Sequence, residues 1–190
     1  MKIETIEIGG FAAVVKALRL PFGKECRSHI QHRADILPPY GIVCASGADI
    51  DERDMNLMGV LVRRGDEHAK VIRGIVAYAE IEAPVYWWCE LETYRAGHER
   101  LSSESTMHID CRGLSGDELV KAKAEIPMGK MLKKVDMFSY QCLRTICRQR
   151  KGHRLPEWSR FIDWVHTLPF AEELIFTGLN NEAATDSMKK

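Results

Sequence analysis

The chain has 190 residues, 27 basic and 27 acidic, for a formal net charge of zero; 45% are hydrophobic and 28% charged. That composition suits a globular protein with one core, and the charge balance argues against a broad nucleic-acid surface while leaving room for a local basic pocket. No apolar run nears the roughly 20 residues of a membrane helix, and Met1–Gly10 lacks an apolar signal core, so the expected location is cytoplasmic.

In chain order, Lys2 to Ile8 alternates well enough to predict a first strand, and Gly9-Gly10 turns the chain. Phe11, Val14, Val15 and Leu18 have helical spacing. Residues 19 to 48 are rich in proline and glycine and read as loop, with a short strand at Ile42 to Cys44. Asp51 caps a helix whose apolar face is Met55, Met58, Leu61 and Val62, with Gly65 as its stop. Lys70 to Ile81 reads as a strand, and Pro84 as the first turn of a helix over Val85 to Arg95. Residues 96 to 117 read as a long polar segment. Two helices follow, from about Ser139 to Lys151 and from Pro156 to Pro169. The expected fold class is α+β: a helix-rich single domain over 1–177 with a small antiparallel sheet. Gly178 to Lys190 reads as a disordered polar tail.

The six cysteines form no CxxC pair and read as free thiols, mostly buried. Cys26, His29, His32 and Cys44 lack the two tight pairs of a structural zinc site, so a polar loop is the default reading and no metal is expected.

Chemistry concentrates in two stretches. Tyr86 to Arg95 packs aromatics, Glu90, Glu92 and Arg95 into about three helical turns. It is either a core helix with surface ion pairs or a stacking wall for a ring. Arg100 to His108 then crowds Ser102, Ser103, Ser105, Thr106, Glu104 and His108 together. Such hydroxyls and an arginine are phosphate donors, although Ser102 could equally cap a helix. Together they suggest a phosphorylated, stackable ligand. Arg95, Ser102 and Ser103 are candidate phosphate ligands, with Arg144 or Arg150 assisting. Tyr86, Trp88 or Tyr94 offers a stacking face. Ser105 is the candidate for chemistry and His108 for general acid–base work.

The order of these segments resembles the flavin-dependent thymidylate synthases over roughly residues 55 to 165. Gly65-Asp66-Glu67-His68 stands at that family's Gly-His position and Ile75 to Ile81 at its strand. Thr93-Tyr94-Arg95 stands at its Arg-His-Arg, Glu104 to His108 at its serine loop, and Arg150, Glu157 and Arg160 near its C-terminal Arg and Glu-Ile-Arg. Small phage and gut-bacterial proteins share the likeness. The resemblance implies FAD held by His68, Tyr94 and Arg95, a deoxyuridylate-like nucleotide near Ser105, Glu90 in place of a base-reading Gln, and a homo-oligomer, tetramer or dimer, that shares its sites. The sequence departs from the pattern at Thr93-Tyr94, at Met107 where an arginine holds phosphate, and at Ser102 or Ser103 where an Asn stands. Three readings follow: a flavin enzyme on a pyrimidine nucleotide, a non-catalytic nucleotide binder, or an interaction protein that keeps the fold. In the last, the Trp87-Trp88 pair would face another subunit.

Overall fold

The computed structural model describes residues 1–24, 35–37, 42–44 and 50–179. The chain begins with β1 (Lys2–Gly9) and α1 (Phe11–Leu18), which buries Phe11, Val14, Val15 and Leu18. Gly10 between them has φ 96°, and a Cβ there would lie 1.8 Å from the Gly74 carbonyl oxygen, so only glycine fits. A two-stranded ribbon follows, β2 (Asp35–Leu37) against β3 (Ile42–Cys44). Cys26, His29 and His32 lie outside the described residues, as does all of the expected tail but Gly178 and Leu179.

Helix α2 (Glu52–Arg63) starts where expected: Asp51 Oδ1 accepts from the Arg53 amide at 2.9 Å, and Glu52 and Asp54 sit in the positive first turn. Its chain then turns at Gly65, φ 110°. The strand expected over Lys70 to Ile81 begins later. Ala69–Arg73 forms a 3₁₀ turn, and β4 runs Val76–Pro84, burying Ala77, Ala79, Ile81 and Ala83. Pro84 therefore ends a strand and stands just before α3 (Val85–Leu91), which stops short of the expected Arg95.

The largest correction concerns residues 96 to 138. The segment read as loop contains β5 (His98–Ser103), α4 (Thr106–Ile109) and the start of α5 (Gly116–Ala124). Beyond it lies β6 (Met131–Ser139), which leads into α6 (Tyr140–Arg150); α7 (Pro156–His166) and a π-turn at Glu172–Phe176 complete the described chain. The sheet order is β1-β4-β6-β5, with antiparallel neighbours throughout. Register pairs Ala79 with Asp136 and Arg100 with Asp136, so β6 carries a carboxylate inward at the middle of the sheet. Asp136 is fully buried; Arg100 Nε donates to its Oδ1 at 3.1 Å, and His98 Nε2 lies 3.3 Å from its Oδ2. Arg100 also pairs with Glu92 and lies 5.1 Å over the Trp88 ring, while the Lys134 ammonium lies 4.6 Å over that ring. The Arg100 hydrogen bond is the main reason the Glu92 carboxyl titrates below its ordinary range, and burial is the main reason Lys134 is lowered.

The helices cover the inward face of this sheet. Trp87 lies at the centre, its ring 5.0 Å from Trp88, 5.0 Å from Trp158 and 5.7 Å from Phe161. Trp87 and Trp88 are 0% and 1% exposed, so the pair expected at a subunit contact belongs to the core of one chain. Cys142 and Cys147 are buried on α6, and burial pushes both thiols up to about 12; Cys89 is exposed. No described helix is long and apolar enough to cross a membrane.

Three outcomes are expected. Trp87→Ala should cost about 3–5 kcal/mol in urea unfolding with an unchanged m-value, since it empties the aromatic centre. Trp87→Phe should cost clearly less, because Trp87 Nε1 is a buried donor with no partner among the described residues. A disulfide reagent at pH 8 should modify Cys89 in the native protein and spare Cys142 and Cys147, as read by peptide mass mapping. For those two, unfolded thiols ionise near pH 8.5 while the folded ones keep their protons to about 12. The unfolded state then binds fewer protons, and this contribution to stability falls as pH rises above about 9.

Candidate functional site

At one end of the sheet, β6 passes directly into α6. The Ser139 amide donates to the Gly97 carbonyl at 2.7 Å, and the Tyr140 amide to the Ile75 carbonyl at 2.9 Å. Three chain segments thus meet around a cleft of about 900 Å³. One wall is the turn from Thr93 to Gly97, the other is the α6 face with Gln141, Thr145 and Gln149, and Val76 and Met137 form the apolar floor. Gly97 is forced: its φ is 79°, and a Cβ would lie 2.2 Å from Ser139 Oγ. Asp66 and Arg73 close the rim. Arg73 donates from Nε to Gln141 Oε1 and from Nη2 to the Asp66 carbonyl, which ties the 65–68 turn to α6.

Arg95 is exposed on the first wall and has no hydrogen-bond or ion-pair partner among the described residues. The guanidinium is therefore free to take an anion. Tyr94, although part of the same turn, is half-buried and engaged. Arg150 Nε donates to its hydroxyl oxygen at 2.9 Å, and the Arg150 guanidinium lies 4.5 Å over Trp158 and 5.5 Å over Tyr94. Glu90 accepts from Trp158 Nε1 at 2.8 Å and lies 3.0 Å from Arg150 Nη1. Glu90 and Arg150 thus pair with each other and brace the wall instead of facing a ligand in the cleft. Tyr86 donates its hydroxyl to Glu157, which is the first cause of the phenol's raised pKa. Arg144 is buried and donates to the Ile175 and Thr177 carbonyls at 2.6 and 2.7 Å, so it anchors the C-terminal turn.

The serine-rich stretch lies elsewhere. Ser102 and Ser103 sit at the far end of β5, on a shallow groove of about 100 Å³ with Glu80, Glu104 and Lys133. Ser105 precedes α4 and makes no side-chain cap, and His108 is exposed on that short helix. β5 separates Arg95 from Ser105, a span on the order of 20 Å at about 3.3 Å per residue. Within one chain the structure keeps the expected anion site and the expected catalytic pair apart. His68 stands at the start of the 3₁₀ turn, half-exposed and 3.4 Å from Glu67, outside the cleft lining. The cleft's own thiol, Cys142, is buried, and burial pushes it up to about 12, which disfavours the thiolate a nucleophile needs. Sequence reasoning missed Gln141, Thr145 and Gln149, whose signal is a polar stripe at four-residue spacing on the face of α6 opposite its apolar stripe, and Ser139, the N-cap of that helix.

No protein-family model matches the sequence, and no curated protein matches it. Solved structures do. The flavin-dependent thymidylate synthase ThyX from Helicobacter pylori, complexed with FAD and dUMP, is similar at TM-score 0.64 and 10% identity, over 93% of this chain and 98% of that one. A second structure of the same enzyme with FAD and dUMP gives 0.65 and 11%, over 94% and 99%. The UMP/dUMP methylase PolB from Streptomyces cacaoi, bound with 5-Br dUMP, gives 0.59 and 14%, over 96% and 94%. At these identities the likeness establishes the architecture, and the chain has the fold of the flavin-dependent thymidylate synthases.

Proposed function

We propose that this protein binds a pyrimidine nucleotide in the cleft between the 93–97 turn and α6, with Arg95 on its phosphate. The observation that carries this reading is the uncommitted Arg95 guanidinium beside a 900 Å³ cleft lined by amides and hydroxyls. The fold supports it, because the similar structures hold dUMP or 5-Br dUMP. FAD carries two phosphates, whereas among the described lining residues Arg95 is the one uncommitted cation and His68 lies outside the lining. One chain alone does not fit FAD.

Catalysis by Ser105 and His108 needs a second copy to bring them to this cleft. Of the ten exposed large apolar side chains among the described residues, Leu101, Met107, Ile109, Leu114, Val120, Met128 and Met131 lie in the segment that carries that pair. Exposed apolar side chains concentrated in one segment are what a homo-oligomer, dimer or tetramer, would cover. The Trp87-Trp88 pair plays no part in it.

Thermal-shift measurements with deoxyuridylate and thymidylate test the binding site. At 100 times the dissociation constant a ligand stabilises by about 2.7 kcal/mol, a rise of roughly 5–10 °C at this length. Arg95→Ala should weaken binding about 10- to 100-fold and leave the unliganded melting point unchanged; equal affinity in that variant would remove the site. Light scattering tests the assembly. The parent should run above monomer mass, and Ile109→Glu should shift it toward the monomer. A monomeric parent at micromolar concentration would rule out Ser105 and His108 as catalytic groups for this cleft.

A further inference from the structure

We infer that Gln141 and Thr145 form a polarity-reading pair, set to recognise a lactam edge, a ring carbonyl next to a ring N–H. The inference rests on the cleft proposed above and goes further by assigning the edge of the ligand. Arginine only donates, so the contact from Arg73 Nε fixes which end of the Gln141 amide is oxygen. The NH2 end, with its two donors, is left for the cleft that Gln141 lines. Thr145 is fixed in the opposite sense. Its hydroxyl gives its proton to the main-chain carbonyl of Gln141 at 3.0 Å, so toward the cleft the oxygen can only accept.

The two residues are neighbours on one face at four-residue spacing. They present one donor and one acceptor side by side, and neither can reverse its role without breaking a hydrogen bond. Ser139 adds a proton to offer, since its oxygen already accepts from the Cys142 amide at 3.1 Å. A donor beside an acceptor complements a carbonyl beside an N–H, as in the 3,4-edge of uracil or thymine and in the flavin pyrimidine ring. Cytosine presents the reverse order at the same edge, an amino group beside a bare ring nitrogen. Its amino group would face the Gln141 NH2 and its ring nitrogen the Thr145 lone pairs. Arg95 holds the anionic group in either case, so the edge pair carries the selectivity.

Calorimetric titration of the full chain with deoxyuridylate, deoxycytidylate and FMN tests this. The parent should bind deoxyuridylate at least about 10-fold tighter than deoxycytidylate, one matched edge against one opposed. Gln141→Glu turns the donor into an acceptor and should erase or invert that ratio. Thr145→Val, which keeps the shape, should narrow it by relieving the clash with cytosine. A purely structural role for either residue would weaken both nucleotides equally and leave the ratio unchanged, and that result overturns the inference. If Arg95→Ala still weakens binding in that case, the nucleotide site stands and only the edge assignment falls. If FMN alone binds, with Gln141→Glu abolishing it, the edge pair stands and its ligand is a flavin instead of a nucleotide. If none of the three binds at millimolar concentration, the cleft and the pair both fall.

Discussion

A carboxylate with no exposure to solvent, Asp136, sits on the inner face of the second strand from the sheet edge and constrains much of what surrounds it. Such a charge is tolerated only with partners, and removing a partner from a buried pair costs about 3–5 kcal/mol. Its hydrogen-bonded partner comes from β5, Arg100 at 3.1 Å, and the His98 ring stands beside it with Nε2 3.3 Å from Oδ2 and no hydrogen bond between the two atoms. The edge strand is thus held by charge as well as by its backbone ladder. His98 carries the constraint further. Its ring stacks flat on Phe138 at 4.7 Å, and Nδ1 lies 3.0 Å from the Tyr94 carbonyl. A carbonyl only accepts, so Nδ1 donates, and the 93–97 turn is pinned to the interior one residue before Arg95. The wall of the cleft is therefore positioned from inside the protein.

The same turn is braced from its other side by Glu90, Arg150, Trp158 and Tyr94. Arg150 lies between two aromatic faces and donates to the Tyr94 hydroxyl. Cation–π contacts with this degree of burial are worth about 0.5–2 kcal/mol. Fixing Tyr94 inward leaves its neighbour Arg95 exposed beside the cleft. One residue of the turn is engaged in support and the next is uncommitted.

Much of the fold was legible in the sequence because its outer elements obey simple periodicity. α1 buries all four apolar residues its spacing marks, β1, α2, α6 and α7 bury part of their marked sets and half-bury the rest, and Asp51, Ser139 and Pro156 start helices as their chemistry requires. β5 and β6 were not legible, and the reason is the buried charge itself. Alternation identifies a strand by apolar residues on the inward positions, whereas here those positions hold His98 and Arg100, and Lys134 and Asp136 between Leu132 and Phe138. The site divided along the same line. Arg95 was legible as an uncommitted charge because it needs no partner to be read. Glu90, Arg144 and Arg150 were legible as charges, but their engagement with Trp158, Tyr94 and the C-terminal carbonyls depends on tertiary contacts. Gln141 and Thr145 look like ordinary surface residues until the 93–97 turn is placed opposite them.

This arrangement gives a physical account of how the architecture can match at 10–14% identity while the motif residues differ. The turn's position is set by His98, Asp136 and Phe138, none of which lines the cleft. Ligand-facing positions on that turn can then change without moving the wall. Where the related pattern has Arg-His-Arg, this chain has Thr93, whose hydroxyl caps the end of α3 at the Glu90 carbonyl, and Tyr94, which joins the Arg150 brace. Two of the three positions are structural here, and the third, Arg95, is an exposed charge without a partner among the described residues. Function belongs to sites carried on a fold. Here the fold's own buried charges position the wall of the cleft, and the side chains left uncommitted around it are few.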